Sequence, residues 1–217
     1  MPEASNLDPA KKPVEYADKE IFTKLWSQPR LVFRYITDYH HDKYTHILLV
    51  LASIGRGLDR ASTKNMGDTM SLPTVLVMSI FVGGAFGWMT YYIYAALVSW
   101  MGKALNGVAS TAMVLRILAY AMFPTILSLL VVILQIAFFG NRMFQSEVNL
   151  DDSSLFMQAF YYVALIIQVV FGIWTICFAV VGISEVQKFS IGKAILNLLL
   201  PGLLIVTIVF LFVLALD

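Results

Sequence analysis

Residues 153–184 read Ser-Ser-Leu-Phe-Met-Gln-Ala-Phe-Tyr-Tyr-Val-Ala-Leu-Ile-Ile-Gln-Val-Val-Phe-Gly-Ile-Trp-Thr-Ile-Cys-Phe-Ala-Val-Val-Gly-Ile-Ser, 32 positions without one charged side chain. A helix of about 20 apolar residues crosses the hydrocarbon core of a bilayer, so this stretch alone puts the chain in a membrane. Three more uncharged stretches accompany it, Thr69–Gly102, Ile117–Asn141 and Ala194–Leu216. All 29 charged residues lie outside these four. Hydrophobic residues make up 59% of the chain, against about 45–50% in an ordinary soluble domain. The predicted fold class is all-α, an integral membrane bundle. A net charge of +1 gives no basis for nucleic-acid binding, and a single cysteine, Cys177, excludes an intrachain disulfide.

Working toward the N-terminus, Ile47–Ile54 is apolar but short. Extended from Tyr44 to Leu58 it is just long enough to cross; a re-entrant hairpin is the alternative. The charges bear on the choice. Of 15 Lys and Arg, seven precede Tyr44 and three fall in Arg56–Lys64. The others are Lys103 and Arg116, Arg142, and Lys188 and Lys193. Basic loops stay cytoplasmic, so the Lys103/Arg116 and Lys188/Lys193 loops are predicted inside. The Arg142–Asp152 loop, with Glu147, Asp151 and Asp152, is predicted outside. A cytoplasmic N-terminus then requires Ile47–Ile54 to cross. The expectation is five transmembrane helices, the first one short, with the N-terminus cytoplasmic and the C-terminus outside, in a bacterial cytoplasmic membrane.

Three divisions follow. Residues 1–18, with three prolines and mixed charge, read as a disordered polar tail. Residues 19–43 read as an amphipathic segment on the cytoplasmic side. Its apolar Ile21, Phe22, Leu25, Trp26, Leu31, Val32, Phe33 and Ile36 are interleaved with Lys19, Lys24, Arg30 and Arg34. Two placements fit it, flat on the membrane surface or packed under the bundle. Residues 44–217 form the membrane domain. No cleavable leader is expected, since the first 40 residues lack a short apolar core and a small-residue cleavage site.

Inside the spans, Gly83 and Gly87 have the spacing of a close helix–helix contact, within the bundle or between copies. Spans three and five each carry a basic residue eight positions before a proline, Arg116 with Pro124 and Lys193 with Pro201. Each proline removes a backbone bond and crowds the carbonyl four residues back. Trp100 and Trp174 precede the two basic residues, which hints at a duplicated helical hairpin.

The pattern Trp100-Met-Gly-Lys103-Ala-Leu, then Arg116-Ile-Leu-Ala-Tyr120-Ala-Met-Phe-Pro124, resembles the Yip (Ypt/Rab-interacting protein) family of polytopic membrane proteins. So do Trp174 followed by Gly182-Ile-Ser-Glu185-Val-Gln187-Lys-Phe-Ser190-Ile-Gly-Lys193-Ala, and Trp26-Ser-Gln-Pro29-Arg30 with Phe33. The resemblance covers residues 20–215 and implies five helices with a cytoplasmic N-terminus. The Asp-Leu-Tyr-Gly-Pro motif of eukaryotic members is absent. The chain thus resembles the prokaryotic branch, for which membrane residence is implied and engagement of small GTPases in traffic is not.

Candidate functional residues are few. Arg116 and Glu185 are expected at the cytoplasmic ends of their helices, where charges near hydrocarbon tend to pair; a pair between them would pin span three to span four. Gln135 and Gln158 are expected to hydrogen-bond across helices near the outer face, while Gln168 lies deeper with no evident partner. Asp38, His41, Asp42 and His46 fall at helical spacing, and imidazole with carboxylate can hold a divalent metal; a polar membrane-surface collar is the alternative. No nucleophile–base pair and no phosphate-cradling glycine loop is present, so no cofactor and no enzyme activity is expected. The leading reading is a non-enzymatic organiser of membrane partners or lipids, with trafficking or membrane homeostasis as its role and other membrane proteins or further copies of itself as partners. The second is a small-molecule or ion transporter or channel using the Pro124 and Pro201 helices, with Gln168, Asn197 and Thr125 as the polar path. A metal-dependent membrane enzyme is third.

Overall fold

The computed structural model describes residues 16–39, 41–147 and 154–214. The expected tail therefore lies almost wholly outside the described residues, as do His40, Asp151 and Asp152. Helices account for nearly all the rest: α1 (Asp18–Ser27), α2 (Pro29–Asp38), α3 (Thr45–Thr63), α4 (Leu72–Ala104), α5 (Thr111–Ala121), α6 (Phe123–Phe139), α7 (Leu155–Gln187) and α8 (Ile191–Leu214). Short 3-10 turns follow α3 and α6. No strand occurs among the described residues.

Four segments are long and apolar enough to cross a membrane: α4, α5 with α6, α7 and α8. The expected first span is a helix too, 19 residues long. It is not among the four, because Arg56, Asp59 and Arg60 occupy its second half. The count by length and composition is therefore four rather than five. The surface is inside out relative to a water-soluble protein. Phe81, Phe86 and Ile93 on α4 and Phe210 and Phe212 on α8 are more than 60% exposed. Apolar patches this extensive are not left to water; here the solvent is lipid.

Serine and left-handed residues set the helix ends. Ser110 and Ser154 accept from the backbone N–H groups of Met113 and Met157, capping α5 and α7. At the other end of each long helix the chain turns through a left-handed residue, Asn106 (φ 66°) after α4 and Lys188 (φ 58°) after α7. In both cases the next N–H reaches back five residues, Gly107 to the Gly102 carbonyl (2.7 Å) and Phe189 to the Ser184 carbonyl (2.9 Å), which satisfies helix-end carbonyls. The two hairpins thus share a 33-residue first helix and the same stop. They differ at the proline. Pro124 divides span three into α5 and α6 at Met122. Pro201 sits inside a continuous α8, so only one of the two expected breaks is present.

α3 and α4 meet backbone to backbone. A Cβ on Gly57 would lie 2.5 Å from the Ser79 carbonyl oxygen, and one on Gly83 would lie 2.9 Å from the Ser53 carbonyl oxygen. One on Gly87 would lie 2.6 Å from the Ser53 Cβ. The glycine face of α4 is therefore used within the chain, against a matching Ser53/Gly57 face on α3, the small-residue packing by which membrane helices approach closely.

Polar contacts join the other helices at membrane depth. The Thr125 and Thr175 hydroxyls are 2.7 Å apart across α6 and α7. Gln168 Nε2 donates to Gln135 Oε1 (2.7 Å) and to its own Ala164 carbonyl (3.3 Å). The expected Gln135–Gln158 bond is thus replaced by Gln135–Gln168. Helical side chains lean toward the N-terminus over the preceding turn, and Gln168 reaches back over Ala164 to meet Gln135. The ring contacts of Phe160 with Phe138 (5.0 Å) and Phe139 (6.1 Å) put Gln158 level with the end of α6 instead. A double-mutant cycle with Gln135→Leu and Gln168→Leu should return a coupling of about 0.6–1.7 kcal/mol, and a cycle of Gln135 with Gln158 none. On α8, the buried Asn197 Nδ2 donates to the Val98 carbonyl (3.0 Å), and Tyr94 Oη donates to the Leu198 carbonyl (2.7 Å) beside Pro201.

Candidate functional site

The elements that carry the candidate residues converge at one end of the bundle, where α4 and α7 stop and α5 and α8 begin. There the amphipathic segment packs under the bundle. Pro29 opens α2, where its missing N–H costs nothing. Val32, Phe33 and Ile36 turn inward and are fully buried against α5 and α7, while Arg30, Leu31 and Arg34 stay exposed. Gly182 makes room for them, since a Cβ there would lie 2.4 Å from Ile117 Cγ2 and 3.3 Å from Phe33 Cε2. From α1, the Trp26 ring meets Trp174 (5.6 Å) and Phe178 (5.6 Å) edge on, and Phe22 meets Phe123 (4.7 Å). Edge-to-face pairs of this kind add about 0.5–1.5 kcal/mol each beyond area burial.

Three ion pairs tie the segment and its following loop to the bundle and to each other. Arg116, 7% exposed on α5, is bound in a two-pronged fork by Asp42: Nε donates to Oδ1, and Nη2 donates to Oδ2 at 3.1 Å. Arg34 Nε donates to Glu185 Oε1 at 2.8 Å, and Lys188 joins the same oxygen at 3.5 Å. Lys43 pairs with Asp18 across the loop. The expected Arg116–Glu185 pair is thus not the one formed. Each residue takes a partner from the N-terminal segment, which the charge pattern along the spans gave no reason to favour. The segment is pinned to two different helices as a result.

The Asp18 carboxyl is held below its ordinary value chiefly by the Lys43 hydrogen bond, with a further bond from Tyr44. A carboxyl depressed on folding contributes stability above its unfolded pKa and loses it as pH falls through the folded one. Acidification through and below the carboxylate range should therefore loosen α1. Trp26 fluorescence should report this as a red shift, and Lys43→Gln should remove the Asp18 share of that acid limb.

A fourth tie was not anticipated. The Gln187 side chain, fully buried at the last turn of α7, projects into the α4–α5 connection. Its Oε1 accepts from the Ala109 N–H at 2.9 Å. Cβ atoms on Gly102 and Gly107 would lie only 2.1 and 2.3 Å from its amide. The sequence signal was a helix-terminal amide and two glycines facing it, Gly102 in the last turn of α4 and Gly107 in the loop that follows. Gln187→Leu should cost about 1–3 kcal/mol, the penalty of leaving the Ala109 N–H buried without an acceptor, read as a lower melting temperature in detergent.

The other candidates scatter. Lys193 and Trp100 are exposed, with Lys193 Nζ 5.8 Å from the Phe189 ring centre. Asp38, His41, Asp42 and His46 do not assemble. Among the described residues no group of three or more His, Cys, Asp or Glu could hold a metal ion. Asp42 serves Arg116, and His46 faces outward from α3. The helical register assumed for them is broken, since α2 ends at Asp38 and α3 begins only at Thr45.

Together these features define a multi-pass membrane protein, helical in its described residues, whose N-terminal helices are bolted to its bundle. The Yip1 domain family matches residues 23–214, and the chain belongs to that family. No curated protein matches it, and no solved structure does.

Proposed function

We propose that the protein is a non-enzymatic organiser of membrane partners or lipids, of the branch lacking the eukaryotic motif. In that proposal it has five spans, a cytoplasmic N-terminus and an external C-terminus in a bacterial cytoplasmic membrane. α3 is the fifth span. Its 19 residues reach about 28 Å, close to the roughly 30 Å hydrocarbon core, and its backbone-close seam with α4 suits an embedded hairpin. The basic clusters support a cytoplasmic α1–α2 end.

One observation carries the organiser reading: the deep polar side chains are engaged between helices. Thr125 is bound to Thr175, Gln168 to Gln135 and Asn197 to Val98, so the groups that a transport path would need hold the bundle together. The exposed Arg30, Leu31 and Arg34 edge of α2 is the surface offered to partners, other membrane proteins or further copies of the chain. Solute and ion flux through proteoliposomes of the folded protein is the test. No flux is expected across a broad panel, and photo-crosslinkers at Leu31 should capture membrane partners that crosslinkers at Phe210 do not. Flux altered by Pro124→Ala or Arg116→Ala would replace the organiser with a carrier.

A further inference from the structure

Along the seam of α3 and α4, beside the close approach of Gly57 and Gly83, runs a cleft of about 320 Å³. Met78, Val82 and Phe86 wall it, and Arg56 and Arg60 stand along it. The α4 wall from Met78 to Thr90 runs about 18 Å at 1.5 Å per residue, the reach of a long acyl-chain segment. Arg60 lies in the last turn of α3, at the mouth of the cleft. It makes no ion pair, hydrogen bond or ring contact through its side chain among the described residues. Arg56 lies one turn deeper, its guanidinium held over the Tyr91 ring at 4.6 Å. Ser79 lines the same cleft, 5% exposed, with its hydroxyl unpartnered.

A guanidinium at the edge of hydrocarbon is costly and takes a counter-charge. Asp59, next in sequence to Arg60, opposes one of the two positive charges and leaves a net of one. An apolar slot running into the membrane from a basic mouth has the shape and charge of a single amphiphilic anion, since basic pockets between membrane helices take anionic headgroups. We propose that this cleft binds one anionic phospholipid. Its phosphate sits on Arg60, within the field of Arg56. One acyl chain lies along Met78, Val82 and Phe86, and the Ser79 hydroxyl donates to a polar oxygen of the lipid. The apolar groove beside Trp100 and Leu203 has no charged lining and is left to bulk lipid. The proposal rests on α3 lying in the membrane, which aqueous thiol labelling of Leu51→Cys, midway along α3 and outside the cleft, in a Cys177→Ala background reads separately. It is independent of whether the protein organises partners.

The test is native mass spectrometry and thermal melting of the delipidated protein titrated with phosphatidylglycerol or phosphatidylcholine. One phosphatidylglycerol should bind and raise the melting temperature, and phosphatidylcholine should do neither. Arg60→Gln, a change at an exposed residue, should weaken phosphatidylglycerol about tenfold, the worth of one charge-assisted contact. Val82→Trp, which fills the slot and keeps both arginines, should weaken it as much. Lys103→Gln, a basic residue at the opposite end, should bind as the parent does. Equal binding of both lipids would overturn the proposal. So would phosphatidylglycerol binding unchanged in both Arg60→Gln and Val82→Trp, or a melting shift reproduced by inorganic phosphate at the same concentration.

Discussion

Asp42→Ala should destabilise the protein by about 3 kcal/mol, and Arg116→Met by under about 1 kcal/mol, although both break the same ion pair. The asymmetry follows from where each charge is left. The Asp42 side chain is 61% exposed and that of Arg116 8%. Removing the carboxylate strands a guanidinium whose side chain is nearly buried and whose Nη1 already has no hydrogen-bond partner among the described residues, and an uncompensated buried charge costs about 3–5 kcal/mol. The partial exposure of the pair pulls the figure to the lower end. Removing the arginine leaves a carboxylate that is already mostly exposed, and methionine refills the space with apolar volume. Thermal melting in detergent, or unfolding by steric trapping in bicelles, reads both variants. If Arg116→Met proved the worse of the two, the pair would matter as a bolt on α5 and not as a neutralised charge.

Gly57→Leu should prevent α3 from docking, and Gly57→Ala alone should cost about 1–3 kcal/mol, the range for overpacking a closely fitted site. The atoms a Cβ would meet are the Ser79 carbonyl at 2.5 and 3.2 Å and the Gly83 Cα at 3.3 Å. These are backbone, so no rotamer change relieves the clash and the two helices must part. Gly172→Ala supplies the control. That glycine also lies inside a long membrane helix, but a Cβ there meets nothing within 4 Å. It should leave stability unchanged or raise it by about 0.5–1 kcal/mol, the usual gain of alanine over glycine in a helix. A crosslink between cysteines at Ile54 and Gly84, where an added Cβ on Gly84 would lie 3.4 Å from Ile54 Cγ1, should form in the parent background and fail with Gly57→Leu.

The long helices were legible because desolvation of charge is a per-residue cost that needs no partner. The uncharged stretch Ser153–Ser184 became α7, Leu155–Gln187, within three residues at either end. The proline at 124 was legible as a break for the same local reason. Pro201 did not break its helix, because whether a helix parts at a missing bond depends on what else holds it, and the Asn197 side chain and the Leu198 carbonyl fasten α8 to α4 in the turn just before the proline. Pairings between distant residues were not legible. Arg116 and Glu185 were rightly seen as charges in need of partners, but the partners, Asp42 and Arg34, lie 74 and 151 positions away. Both stand on a segment for which a place on the membrane surface fitted the sequence equally well. Gln187 was missed because its role is set by the shape of a loop in another hairpin.

The 151-residue separation of Arg34 from Glu185 has a consequence in time. At about 5–20 residues per second, ribosomal synthesis leaves roughly 8–30 s between the appearance of α2 and that of the helix end it clasps. Until α5 is made, about midway through that interval, Val32, Phe33 and Ile36 have neither of the helices that bury them, and the α7 half of their seat comes only at its end. The bilayer surface, in reach from the moment the first span inserts, is the one apolar partner at hand. The amphipathic pattern therefore serves the nascent chain first as a float and only afterwards as a clasp, and the N-terminal helices, first to be made, wait for α7 to find their place.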